Sequence, residues 1–112
     1  MRSNKPLEIR GTRGDFIPFY KRLDPNSKLY KSITDTIDLL KHEPTRGDHV
    51  EHDKIPDYYI HKFKVKTLFR IELVDYWRLL YAIHAFDDIG IGILVLEALD
   101  HKKYNKRFGY KN

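Results

Sequence analysis

Residues 66–99 decide the fold. They read Lys66-Thr-Leu-Phe-Arg-Ile-Glu-Leu-Val-Asp75, then Trp77-Arg-Leu-Leu-Tyr-Ala-Ile-His84, then Ile91-Gly-Ile-Leu-Val-Leu-Glu-Ala-Leu99. Each run is short, rich in β-branched or aromatic residues, and bounded by Asp or Gly, the signature of strands. Strand side chains alternate between faces. Phe69, Ile71 and Leu73 therefore share one face of the first run, with Arg70 and Glu72 on the other. Trp77, Leu79, Tyr81 and Ile83 oppose Arg78, Leu80, Ala82 and His84 in the second. A loop of Val74, Asp75 and Tyr76 sets Leu73 opposite Trp77 and Glu72 opposite Arg78. The third run is apolar on both faces, which predicts a central strand. A loop of residues 87–90 pairs Phe86 with Ile91 and Tyr81 with Leu96, so the even residues Leu94, Leu96 and Ala98 are expected in the odd-face core. Glu97 and Leu99 then fall on the same open face as Arg78, with His101 at its mouth.

Outward from this meander, residues 7–10 read as a short first strand and residues 11–14 as a turn. Asp15 is placed to cap a helix carrying Phe16, Phe19, Tyr20 and Leu23, with Pro18 tolerated in its first turn. Asp24-Pro25 reads as N-cap and N1 of a second helix over residues 25–41, with an apolar stripe of Leu29, Tyr30, Ile33, Ile37 and Leu40. Residues 42–53 are polar and read as a loop with a short extended piece near Val50. Residues 56–65 predict a short helix. The last residues, 101–112, hold Lys102, Lys103, Lys106, Arg107 and Lys111 without an acid, and read as a basic, solvated end. The expectation is an α+β fold: an N-terminal strand and two helices on one face of a mostly antiparallel sheet, then a short basic C-terminal segment. Phe69, Ile71, Leu79, Tyr81 and Leu96 should be buried together.

The chain has 112 residues, which predicts a single domain over 1–112. It has no cysteine, so disulfides, thiol chemistry and Cys-based zinc sites are excluded. No apolar run is long enough to span a membrane, and the first residues have no signal-like apolar stretch, so the expectation is a cytoplasmic protein without a membrane partner. Lys and Arg number 21 against 16 Asp and Glu, a net charge of +5. That balance, with 13% aromatic residues, suits a polyanion such as RNA. His49-x-x-His52 with Glu51 and Asp53 has the composition of a metal site, but a lone H-x-x-H in a loop is a weak signal. No metal or cofactor is expected.

The text Leu68-Phe-Arg-Ile-Glu-Leu73, Tyr76-Trp-Arg-Leu-Leu-Tyr81 and His101-Lys-Lys-Tyr104, on a strand, two helices and a meander, resembles the RelE/ParE toxin superfamily, with RelE-, YoeB- and HigB-type members in view. The likeness covers most of the chain. It implies a RelE-like fold and the toxin of a toxin–antitoxin system, a ribosome-dependent mRNA endoribonuclease. The implied partners are mRNA on the ribosome and a cognate antitoxin. The superfamily's gyrase-directed branch implies the alternative, a non-enzymatic binding protein, and a degenerate RNA- or ribosome-binding member is its variant. By resemblance, Arg78 holds the scissile phosphate, His101 is the general acid, and Tyr104 is the C-terminal tyrosine of the site. The general base does not carry over, which leaves Glu51, His52 and Lys54 as candidates.

The residue types fit that chemistry. RNA supplies its own nucleophile, the 2′-OH. A metal-free ribonuclease then needs a base, a cation for the phosphorane and an acid for the leaving 5′-oxygen. An imidazole can give or take a proton near neutral pH. A guanidinium offers fixed charge in a planar fork. Arg70, Lys102, Lys103, Lys106 and Arg107 are the candidate RNA contacts, with Tyr104, Phe108 and Tyr110 interleaved for base stacking. The plain alternative for Arg78 is a cross-strand ion pair with Glu72, and for His101 the start of a helix.

Overall fold

In the computed structural model, residues 5–109 are described, and Lys111 and Tyr110 of the basic end lie outside them. The fold is α+β. Within the described residues the order is β1 (Ile9–Gly11), α1 (Phe16–Arg22), α2 (Lys28–His42), β2 (Asp48–His49), α3 (Asp57–Phe63), β3 (Phe69–Glu72), β4 (Arg78–Phe86), β5 (Gly90–Leu99) and α4 (His101–Arg107). The five strands form one mixed sheet in the order β1-β5-β4-β3-β2. Among the described residues, only the β1–β5 pair is parallel. As the apolar text of residues 91–99 implies, β5 is an inner strand.

The alternation of β3 and β4 sets their register. Phe69 pairs with Tyr81, Ile71 with Leu79 and Glu72 with Arg78. Leu73 N donates to Trp77 O across the turn at 2.8 Å. The β4–β5 pair departs from expectation. Arg78 meets Leu99 and Leu80 meets Glu97, but Tyr81 meets Val95 and Phe86 meets Gly90. Leu96 is the extra residue of a β-bulge, and every pair beyond it slips by one. Ile93 and Val95, not Leu94 and Leu96, therefore join Phe69, Leu79 and Tyr81. Leu96 lies in a second core on the opposite face. Because β5 is apolar at both parities, alternation alone could not pin this register.

The first core receives Phe16 of α1 and Ile33 and Leu40 of α2, so these two helices cover the odd face of β3 and β4. Ser27, rather than Asp24, caps α2: its hydroxyl accepts from Tyr30 N at 3.2 Å. Asp24 instead accepts from Asn26 N in the turn before. Asp15 does not cap α1 through its side chain. Its carboxylate takes Lys62 Nζ at 2.8 Å, tying the start of α1 to α3.

The other face is not open, as the parity argument supposed. Tyr59 of α3 and Tyr104 of α4 close over Leu80, Ala82, Leu96 and Leu99. Residues 100–109 are not simply a solvated end. Asp100 accepts from Lys103 N at 2.8 Å and starts α4, which turns Tyr104 and Asn105 inward. One helix start and one i,i+4 pair of aromatic residues, Tyr104 and Phe108, thus convert the basic end into part of the fold.

Candidate functional site

Period-two alternation sends Arg70 and Glu72 of β3 and Arg78 of β4 to the α4 side of the sheet. Beyond the rim of the second core they meet α4. Asp48, Arg70, Glu72, Arg78, Tyr104 and Asn105 line a cleft there of about 260 Å³. Arg70 donates to the Tyr104 hydroxyl through Nη1. The Arg78 guanidinium carbon lies 4.9 Å from the Tyr104 ring centroid, and that of Arg70 lies 5.8 Å from it. Two guanidinium groups from neighbouring strands thus share one phenol ring.

Each arginine has a carboxylate neighbour at long range. Arg70 Nε stands 3.9 Å from Asp48, and Arg78 Nη2 stands 3.7 Å from Glu72. Charge-assisted hydrogen bonds run nearer 2.7–2.9 Å. The Glu72 side chain is 77% exposed while that of Arg78 is 15% exposed. The cation is therefore held by the protein and the anion is largely in water. Arg78 is anchored by its Nη1, which donates to Tyr76 O at 2.5 Å.

β2 is short, and it is the loop before it that fixes Asp48. The buried Tyr81 hydroxyl donates to Pro44 O at 2.9 Å and accepts from Gly47 N at 3.0 Å. A Cβ at Gly47 would stand 2.7 Å from Arg70 O, so only glycine permits this approach. Burial pushes the Tyr81 phenol up, which keeps this donor protonated.

His101 is exposed at the first turn of α4. Asn105 Nδ2 lies 3.2 Å from His101 Nε2, and the Tyr76 ring meets the imidazole edge-on at 6.2 Å. Asn105 in turn lines the arginine cleft, so His101 stands at its rim. Tyr104 is buried, with Phe108 at 4.6 Å on its ring. Its ring leaves no face for a base, and the stacking role expected of it is replaced by packing and by the bond to Arg70.

The other sequence candidates lie apart. Lys102, Lys103 and Lys106 are exposed on α4. Lys103 and Lys106 line a different cleft, with Tyr58 and Arg107. Arg107 serves the fold. Its Nε and Nη2 each reach the Glu97 carboxylate at 3.1 Å, and its guanidinium lies 3.6 Å from the Tyr58 ring centroid. Tyr59 donates to the same carboxylate at 2.6 Å. Burial and then Glu97 push the Tyr59 phenol far up. Glu51 and Lys54 pair with each other at 3.7 Å and line an adjoining cleft of about 200 Å³ that also touches Arg70. His52 lines neither cleft. Asp48 and Asn105 are the site residues that the sequence did not single out. Asn105, four residues after His101, sits on the same helix face, and that spacing was the available signal.

With these residues the cleft can hold an anion against two guanidinium groups, beside two solvated carboxylates and one imidazole. Among the described residues no helix is long and apolar enough to cross a membrane. No family model, curated protein or solved structure matches the chain.

Proposed function

We propose that the chain is a RelE-like toxin that cleaves ribosome-bound mRNA. The observation that carries this reading is the convergence of Arg70 and Arg78 on Tyr104, with His101 joined to the same cleft through Asn105. The order of strand, two helices and meander supports the same reading, and α3 adds cover to the second face.

In this reading the scissile phosphate sits between the guanidinium groups. Glu72, 3.7 Å from Arg78 and open to water, takes the proton from the 2′-OH. The 2′-oxygen bonds to phosphorus and the phosphorus–5′-oxygen bond breaks. His101 gives its proton to the leaving 5′-oxygen, and the products are a 2′,3′-cyclic phosphate and a 5′-OH. Arg78 and Arg70 stabilise the charge that builds on the phosphorane. Glu72 replaces Glu51, His52 and Lys54 as the base because it is the carboxylate beside Arg78. An acidic or amphipathic antitoxin segment would cover this cationic cleft and block it.

The test is translation in a reconstituted system, with mapping of mRNA ends. Arg78→Ala should lower the cleavage rate about 10²–10³-fold. His101→Ala should lower it about 10²–10⁴-fold, and Glu72→Gln by a similar factor. Asp48→Asn should act weakly, and cleavage should persist with a chelator present. Wild-type rates in both Arg78→Ala and His101→Ala would remove the nuclease assignment. A second reading is binding without chemistry, directed at RNA, the ribosome or gyrase. It is favoured by the carboxylate that each guanidinium already has nearby. Arrest without new mRNA ends would select it.

A further inference from the structure

The β3–β4 turn holds an aromatic residue where the backbone asks for glycine. Asp75 and Tyr76 both have positive φ, 55° and 64°. Trp77 N donates to Val74 O at 3.2 Å, closing the turn around them. A tight hairpin turn with two left-handed central residues favours Asn-Gly or Asp-Gly. Asp75 suits its position, whereas a bulky side chain at Tyr76 is a backbone outlier. The ring gains no burial in return: Tyr76 is 75% exposed. An outlier of this kind beside a cleft is a reason to look for a role.

The position of Tyr76 supplies one. Its carbonyl accepts from Arg78, and its ring lies edge-on to His101. The residue thus bridges the groups assigned to the phosphate and to the leaving oxygen, with a ring face in solvent. We propose that Tyr76 is a nucleobase platform, on which a base flanking the phosphate in the arginine cleft stacks, so that single-stranded RNA is held in register by its base as well as its backbone. The proposal rests on the RNA-cleaving reading. A polyanion without bases would use the guanidinium groups and leave Tyr76 idle, and Tyr104, the aromatic ring that lines the cleft, is buried.

Glycine gives a clean test, because Tyr76→Gly keeps the left-handed turn, and with it the carbonyl that anchors Arg78, while removing the ring. The probe is a single-stranded oligoribonucleotide, 2′-O-methylated throughout to prevent cleavage, with 2-aminopurine at successive positions. Wild type should quench the fluorescence at one position, and Tyr76→Phe should keep both quench and affinity. Tyr76→Gly should melt at or above the wild-type temperature, lose the quench and bind roughly 5–150-fold more weakly, the range of one lost base stack. Wild-type quench and affinity in Tyr76→Gly would overturn the platform. So would a lower melting temperature that accompanies the lost affinity, since the ring would then serve the fold. Cleavage of ribosome-bound mRNA by Arg78→Ala, measured in parallel, separates the two readings. If Arg78→Ala is impaired and Tyr76→Gly is not, only the platform falls. If Arg78→Ala and His101→Ala both cut at the wild-type rate, the platform falls with its premise, and if wild type cuts ribosome-bound mRNA but does not bind the probe, the platform alone falls.

Discussion

Glu97 shows how a single residue redirects a reading. Its carboxylate is buried and is met by Tyr59 at 2.6 Å and twice by Arg107 at 3.1 Å. A buried charge is tolerable only when its partners are in place. Arg107, one of five basic residues between 101 and 112, looked like a phosphate contact because its partner lies in another element, ten residues back. Arg107→Ala should cost about 1.5–3 kcal/mol in denaturant unfolding, the scale of a hydrogen-bonded charge. An unchanged midpoint with reduced RNA affinity would return Arg107 to the binding surface. Tyr59 adds a pH dependence. Its phenol is raised above the ordinary value of 10.0, first by burial and then by Glu97. In the folded state the proton is kept where the unfolded chain has lost it. The resulting stability is whole below about pH 10 and declines as the pH climbs toward the folded value. Tyr59→Phe should therefore be less stable at neutral pH and lose stability less steeply above pH 10. An equal slope in both proteins would mean that Tyr59 does not control the alkaline limb.

At the scale of elements, alternation made β3, β4 and the Glu72–Arg78 pair legible, and the apolar stripe made α2 legible. The β-bulge was not, because a strand apolar at both parities accepts either register. Its effect is local and large: Leu96 and the next residue, Glu97, both serve the α3/α4 side. The second core was hidden for a different reason. Leu80 and Ala82 alternate as expected, but nothing in strand spacing says whether their face is covered. The cover comes from Tyr59 and Tyr104, on helices of seven residues each whose apolar faces are only one or two turns long. The two cores can be told apart. Leu79 and Leu96 are both fully buried, in different cores. Leu79→Ala and Leu96→Ala should each cost about 2–5 kcal/mol. Trp77 packs with Phe19 of α1 at 5.7 Å on the Leu79 side. Native tryptophan emission should therefore shift in Leu79→Ala and stay unchanged in Leu96→Ala. The reverse result would place the bulge elsewhere.

Over the whole molecule, the candidate site lies where three parts of the chain meet: β2 with the loop before it, the β3–β4 hairpin, and α4. Arg70 and Arg78 could be found from parity, because each sits in a strand of clear period, and His101 from the likeness to RelE-type text. Asp48 could not, since its two-residue strand is held by Tyr81 and Gly47 rather than by its own sequence. Charge is the remaining molecular property. The chain carries +5, and Lys102, Lys103 and Lys106 are exposed on α4, the helix that also supplies Tyr104 and His101. In the RNA reading these lysines attract backbone phosphates at positions away from the reacting one, so they act on affinity and not on the chemical step. Changing all three to Ala should weaken binding to RNA most at low salt. Each phosphate contact on a single strand contributes about 0.7 to the slope of log affinity against log salt. Three lost contacts should therefore flatten that slope by roughly 2. Single-turnover cleavage at saturating ribosomes should remain near wild type, because Arg70, Arg78 and His101 are untouched. An unchanged salt slope would show that RNA does not run along α4. A slope unchanged while the chemical step slowed would place the lysines within the reacting cleft instead.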